Sequence, residues 1–270
     1  MVSAPRTSAG PGLTGPIHPC PPAGSARDAL LPELLAWALT KGAAWIGLEF
    51  HPDEPLLIVT QDGAGVTDPF DWWTDSSVAF LARPLAGRLE LISAFGELLA
   101  PCTEGMPVHR PRRTAWDGTT TLVLHGVTLT EHRQESLAEA EFRGRLQRLA
   151  FGFPLTVTLN GRERPRPHAA TGARLFLQTD LGLIALAGYG PGEDWQREFT
   201  TDLAVYVQGL QVFAPAFGRT DGLVNIVHLD PARCLAVWPE RHRLVDEDAA
   251  LRAIRRAIRH LWQVRLAKLK

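Results

Sequence analysis

Few residues of this chain have types and spacings that suggest chemistry, and none forms a familiar catalytic signature. The three cysteines are widely separated, at Cys20, Cys102 and Cys234. No Cys-x-x-Cys, His-Glu-x-x-His, Gly-x-Ser-x-Gly or P-loop sequence occurs. Two features remain: a carboxylate within a helical pattern, Glu33, and a glycine turn after a strand pattern, Gly63 and Gly65. Glycine matters here because it lets backbone N–H groups approach a bound anion closely.

The composition restricts what these features can do. The 270 residues are 45% hydrophobic and 21% charged, which is typical of a globular protein. A net charge of -1 does not favour polyanion binding by the molecule as a whole. No apolar run reaches the length of about 18 residues that a membrane span needs, so we expect no membrane partner. The odd number of cysteines and the lack of a signal-peptide pattern predict a cytoplasmic, reducing environment.

The helical pattern that carries Glu33 begins near Asp28. Its apolar residues recur at helical spacing, and Gly42 stands where a helix-ending glycine belongs. Two strand patterns follow, at residues 45–50 and 56–60, joined by a His-Pro-Asp-Glu-Pro turn. The second strand ends in the turn Gln61-Asp-Gly-Ala-Gly65, which glycine permits.

Further patterns extend this mixed α/β arrangement. Residues 68–100, including the segment from Leu85 to Leu99, look helical or loop-like. We predict a strand at residues 119–125, a helix at 134–151 and a strand at 155–159. That strand ends in Asn160-Gly161, a strong hairpin-turn signal. The helix at 134–151 offers four candidate core residues: Leu137, Phe142, Leu146 and Leu149.

Three regions follow from these patterns. Residues 1–26 are rich in proline and glycine, which predicts a flexible arm. Residues 27–167 make up the main domain. Residues 168–270 contain strand patterns at 174–179, 183–187, 204–208 and 225–229, and they end in a helix over residues 247–267. The apolar stripe of that helix consists of Leu251, Ile254, Ile258 and Leu261.

The first helix and the glycine turn resemble the first two motifs of the GHKL ATPases, the superfamily of gyrase, heat-shock chaperone, histidine kinase and MutL. The first motif of MutL-like proteins reads E-L-x-x-N-x-x-D-A-G-A, and residues 33–43 here read ELLAWALTKGA. The resemblance places Glu33 at the general base that activates the attacking water. It places Trp37 at the asparagine that ligates magnesium, although an indole offers only an N–H donor.

The second motif, D-x-G-x-G, corresponds to residues 61–65. Gly63 and Gly65 match its glycines. The aspartate that accepts a hydrogen bond from the adenine amino group is replaced by Gln61, whose side-chain oxygen could still accept that bond. Asp62 could substitute only if the turn were shifted, because neighbouring side chains at a strand end point to opposite faces.

The third motif, a glycine-rich phosphate loop followed by a helix, aligns loosely with residues 87–95, where Gly87 and Ser93 match. The fourth motif, a G-T-T strand, is well matched by Gly118, Thr119 and Thr120. Residues 172–270 weakly resemble the second, transducer-like domain of the superfamily. The resemblance therefore implies an α/β fold, an α+β sandwich of the GHKL ATP-binding type, followed by a smaller transducer-like α/β domain.

The altered motifs leave three hypotheses for function. The preferred one is a degenerate GHKL protein with weak or lost nucleotide binding, which acts as a scaffold or regulatory partner in DNA metabolism. The second is a divergent ATPase that binds ATP and Mg²⁺ and uses Glu33 as its base. The third is a small-molecule binder that reuses the pocket. Each site residue also has a structural interpretation, since a first-turn carboxylate suits the helix dipole and threonine is common in strands.

Two predictions concern what fills or contacts the molecule. Trp37 could fill the volume that a nucleotide would otherwise occupy. The C-terminal helix carries seven basic residues: Arg252, Arg255, Arg256, Arg259, Arg265, Lys268 and Lys270. This helix could contact DNA phosphates, but a solvated face is the simpler interpretation. A protein partner is the expected means of action if ATP does not bind.

Overall fold

The structure, a computed structural model, describes residues 22–103, 105–132, 134–169, 175–188, 203–212, 223–237 and 243–268. Its elements in chain order are α1 (Ala23–Thr40), β1 (Trp45–His51), β2 (Leu56–Gln61), α2 (Pro69–Asp75), α3 (Ser77–Ala82), β3 (Arg88–Ser93), β4 (Gly96–Pro101), β5 (Val108–Pro111), β6 (Thr120–His125), α4 (Glu135–Ala150), β7 (Thr156–Leu159), β8 (Arg162–Glu163), β9 (Leu175–Thr179), β10 (Gly182–Gly188), β11 (Leu203–Val207), β12 (Leu210–Val212), β13 (Leu223–Leu229) and α5 (Glu247–Lys268).

The N-terminal helix begins earlier than its periodicity predicts. Residues 1–21 of the predicted arm lie outside the described residues, whereas residues 23–26 form the first turn of α1. The early start has a packing reason, because Ala26 is fully buried together with Ala29 and Leu30. At the other end Gly42 has a φ of 67°, which confirms the predicted helix-ending glycine.

The first sheet holds eight strands in the order β5-β4-β3-β6-β2-β1-β7-β8. Its pairs are antiparallel except for β1 and β7, which run parallel. Helix α4 directly precedes β7 in the chain. Buried side chains alternate along β1 and β2, as period-two burial requires. The same hydrophobic core contains Leu34 of α1, Leu81 of α3 and Phe142 of α4, so these helices cover one face of the sheet.

The prediction of helix or loop for residues 85–99 is wrong. This segment forms the antiparallel hairpin of β3 and β4, in which Leu91 lies opposite Leu98. Burial alternates along both strands, and β3 also pairs with β6, which follows about 30 residues later in the chain. Ser93 is therefore the last residue of a strand and does not precede a helix.

Two other local predictions have mixed outcomes. The Asn160-Gly161 hairpin turn is confirmed, with φ of 48° and 74° at its two residues between β7 and β8. Helix α4 is confirmed, but Leu137 is 47% exposed, so its selection as a core residue is wrong. Ala138, the next residue, occupies the inward position.

The second sheet has the strand order β12-β11-β13-β10-β9 and packs on α5. Ile254, Ile258 and Leu261 of α5 are fully buried in this second core, as the predicted stripe requires. Within the described ranges, none of the helices combines the length and the apolar character needed to cross a lipid bilayer.

Candidate functional site

Glu33 lies inside the protein rather than at an open helix start. It is the eleventh of the 18 residues of α1, about two helical turns from the C-terminal end at Thr40. The side chain is buried, and one carboxylate oxygen, Oε1, accepts a short hydrogen bond from the hydroxyl of Ser77 at the start of α3. The carboxylate therefore has an internal donor where a catalytic base would hold a water molecule.

Trp37 packs one helical turn after Glu33. Its ring is 8% exposed and lies against Trp72 of α2, with the ring centroids 6.2 Å apart and the planes tilted by 53°. Helix α2 starts there because Asp68 accepts hydrogen bonds from two first-turn N–H groups and Pro69 occupies the first helical position. The two indoles thus pack on each other at the position where the resemblance predicts a magnesium ligand.

Gln61 is fully buried at the end of β2, and its amide oxygen is already engaged. Oε1 accepts a hydrogen bond of 2.6 Å from the backbone N–H of Gly63. A Cβ at Gly63 would come within 2.6 Å of Gln61 Oε1 and of the Lys41 carbonyl oxygen. Gly63 is therefore a glycine because the turn packs against the C-terminal end of α1, which accounts for it without any ligand.

Asp62 points away from Gln61, as the alternation of strand side chains predicts. Its Oδ1 accepts hydrogen bonds from the backbone N–H groups of Ala44, at 2.8 Å, and Trp45, at 3.0 Å. These bonds tie the turn to the segment between α1 and β1. Asp62 is thus committed to a structural role in this conformation.

Gly65, Ser93 and Thr120 meet at the same end of the sheet. Ser93 Oγ accepts a 2.7 Å hydrogen bond from the Val66 N–H and lies 2.8 Å from Thr120 Oγ1. A Cβ at Gly65 would be 2.9 Å from the Trp116 ring, so this indole covers the turn. Both Ser93 and Thr120 are fully buried, and their hydroxyls bond to the protein itself.

The other two predicted residues, Thr119 and Gly87, do not join these hydroxyl contacts. Thr119 donates from its N–H and its hydroxyl to Asp117 Oδ1, at 2.9 and 2.8 Å, and these bonds lower the pKa of Asp117. Gly87 precedes β3, whereas Ser93 ends it. At about 3.3 Å per residue the two lie roughly 20 Å apart, so they cannot line one phosphate loop.

The side chains at this site are poor ligands for Mg²⁺ bound to a nucleotide. Mg²⁺ needs oxygen ligands, whereas the buried side chains of Trp37, Trp72 and Gln61 present N–H groups that find no acceptor among the described residues. Within those ranges, no three His, Cys, Asp or Glu side chains are grouped to hold a metal ion.

Sequence reasoning missed the residues that close this site. Ser77, Trp72 and Trp116 lie outside the four motifs and make their contacts over long sequence distances. Ser77 is 44 residues from Glu33, and no local sequence pattern predicts that the two side chains pair. In this segment, only the sequence Asp68-Pro69 could have predicted an element, because it is typical of the start of a helix.

A second buried cluster joins the two sheets. His168 Nδ1 lies 2.6 Å from the Tyr206 hydroxyl, and His228 Nε2 donates a 2.7 Å hydrogen bond to the His168 carbonyl oxygen. Burial, and then the nearby His228, lower the pKa of His168 to about 4. A Cβ at Gly152 would come within 3.0 Å of the Tyr206 ring, so the segment between α4 and β7 packs directly on this ring.

No model of a known protein family matches the chain, and no curated protein is detectably similar to it in sequence. Among solved structures, the ATPase region of Saccharomyces cerevisiae topoisomerase II is similar, with a TM-score of 0.53 over 82% of this chain and 76% of that one. The two share 10% sequence identity, so the similarity concerns the fold alone. The closer likeness to MutL stays a prediction. The chain has a mixed α/β structure whose fold is similar to that of the topoisomerase II ATPase region.

Proposed function

We propose that this chain is a GHKL-fold protein whose nucleotide site is closed, and that it acts through its surfaces as a scaffold or regulatory partner. The single observation that carries the proposal is the buried packing of Trp37 on Trp72, because the resemblance assigns the position of Trp37 to a magnesium ligand. The engaged side chains of Glu33 and Gln61 support it.

Opening the site would cost free energy before any ligand binds. Two indoles would lose their mutual burial, and an aromatic side chain contributes about 2 kcal/mol or more when buried. The hydrogen bond from Ser77 to the Glu33 carboxylate would also be exchanged for water. An opening cost of about 3 kcal/mol weakens ATP binding roughly 100-fold, before the loss of the metal ligand is counted.

Isothermal titration calorimetry with ATP and Mg²⁺ tests this proposal. For the wild type we expect no binding heat up to about 1 mM ATP, since the combined losses move an ordinary micromolar site into the millimolar range. Trp37→Ala removes the ring that occupies the site, and Trp73→Ala is the matched control on α2. Micromolar binding by the wild type, with hydrolysis lost in Glu33→Ala, would overturn the proposal and establish a divergent ATPase.

One surface fits a nucleic-acid partner. Helix α5 exposes four arginines spaced at three, four and seven residues: Arg252, Arg255, Arg256 and Arg259. No carboxylate within the described residues pairs with any of them. The opposite face of the helix is buried in the second core, so the arginine stripe faces outward. We include in the proposal that this stripe contacts the phosphates of DNA.

Fluorescence anisotropy with a labelled DNA duplex, measured from 50 to 200 mM salt, tests this contact. Changing the four α5 arginines to Gln should flatten the slope of log K against log salt by about 3 to 4, because each phosphate contact contributes about 0.9. The control changes four other exposed arginines to Gln, which alters the net charge equally: Arg88, Arg113, Arg143 and Arg162. If the slope of log K against log salt flattens equally in both variants, α5 has no special role in DNA binding.

A further inference from the structure

A cleft of about 490 Å³ lies between the two sheets. The C-terminal end of α1 contributes Leu39 to its wall, and the segment between α4 and β7 contributes Pro154. The second sheet contributes Leu183, His228 and Leu229. This volume is within the range of small-molecule sites, which often lie between domains and have mainly apolar walls.

Tight contacts beside the cleft hold its two walls in place. A Cβ at Gly209 would come within 3.0 Å of Pro154, and Gly209 needs its φ of 78° in the turn between β11 and β12. The hydrogen bond from His228 to the His168 carbonyl oxygen joins the walls a second time. The cleft is therefore built into the packing of the two domains and is not a gap left by loose docking.

His228 provides a polar atom that would orient a ligand. A carbonyl oxygen can only accept, so the 2.7 Å contact with His168 requires that Nε2 of His228 carries a proton. Burial lowers the pKa of His228, which favours the neutral ring at neutral pH. In the neutral ring with Nε2 protonated, Nδ1 is a hydrogen-bond acceptor, and it has no partner among the described residues.

We propose that this cleft binds a small apolar molecule that donates one N–H or O–H hydrogen bond to Nδ1 of His228. The mainly apolar walls bury the body of the ligand, and Nδ1 of His228 selects for a donor group at its position. Charged molecules are disfavoured, because none of the described residues that line the cleft carries a carboxylate, Lys or Arg side chain.

Two probes that differ in one donor test the proposal on the full chain. Indole carries an N–H group, and benzofuran has nearly the same shape with an oxygen in that position. By saturation-transfer NMR titration we expect indole to bind with a Kd on the order of 1 mM and benzofuran about fivefold more weakly. Equal affinities, or no binding of either probe, would overturn the proposal.

Two variants locate the binding. His228→Phe keeps a ring to stack on Tyr206 but removes the acceptor, so the preference for indole over benzofuran should disappear. Leu183→Phe narrows the cleft from the neighbouring strand and should weaken both probes. Circular dichroism confirms that each variant is folded. If indole binds both folded variants as it binds the wild type, the cleft is not its site, whatever the outcome of the ATP experiment.

Discussion

Lowering the pH should weaken this protein through His168. The ring is 2% exposed, stacks on Phe151 with centroids 5.8 Å apart, and lies 2.6 Å from the hydroxyl of Tyr206. Burial is the larger cause and the charge of His228 the smaller one in lowering the pKa of His168 from 6.5 to about 4. Protonating His168 would therefore place a charge within the contact between Phe151 and Tyr206 of the second sheet.

The sign follows from comparing the folded and unfolded chains. Between pH 6.5 and pH 4 the unfolded histidine binds a proton that the folded one does not, so the free energy of unfolding falls as the pH falls. The contribution of His168 to the free energy of unfolding is fully present above pH 6.5 and is lost as the pH falls through 4. At 1.36 kcal/mol for each pKa unit, His168 alone accounts for about 3 kcal/mol.

Urea unfolding at several pH values from 7.5 to 4 measures this effect. Carboxylates also titrate in the lower part of this range, so the informative quantity is the difference between the wild type and His168→Phe. The variant keeps a ring against Phe151 but has nothing to titrate. The stability of the wild type relative to the variant should fall by about 3 kcal/mol from pH 7.5 to pH 4.

A constant difference between wild type and variant across this pH range would refute the reasoning. It would mean that water reaches His168 in the folded protein and that its pKa stays near 6.5. A fall that is complete above pH 6 would likewise contradict the burial seen here, because an exposed histidine titrates near its unfolded value.

Two further changes test the packing. Gly152→Ala places a Cβ within 3.0 Å of the Tyr206 ring and should destabilise the protein by about 3 kcal/mol, whereas Gly24→Ala meets nothing within 4 Å and should be neutral or slightly stabilising. Asp62→Ala removes two hydrogen bonds to backbone N–H groups and should cost about 2 kcal/mol in urea unfolding, against almost no cost for Asp53→Ala on an exposed turn. If a variant and its control lose the same free energy of unfolding, the contacts described for Gly152 or Asp62 do not stabilise the protein.

Local chemistry was enough to predict some elements. Asn160 and Gly161 predict their hairpin because both residues tolerate the positive φ that this turn requires. Gly42 predicts the end of α1 for the same reason, and the spacing of Ile254 and Ile258 predicts the buried face of α5. In each case the decisive property belongs to a few neighbouring residues.

The hairpin of β3 and β4 could not be predicted in this way. Leu85 and Leu89 are spaced as in a helix, while Leu89 and Leu91 alternate as in a strand, so the sequence fits both. Pairing of β3 with β6 decides for the strand, because β6 supplies the backbone partners that an isolated segment lacks.

The candidate site also has some features that local sequence predicts and others that depend on tertiary contacts. The sequence by itself determined which side chains stand at the motif positions, above all that an indole at Trp37 cannot ligate a metal. Only the tertiary structure decided that Trp72 packs on it and that Ser77 bonds to Glu33. The reason is that burial and hydrogen bonding depend on residues far apart in the chain, which are brought together when α2 and α3 fold back onto α1.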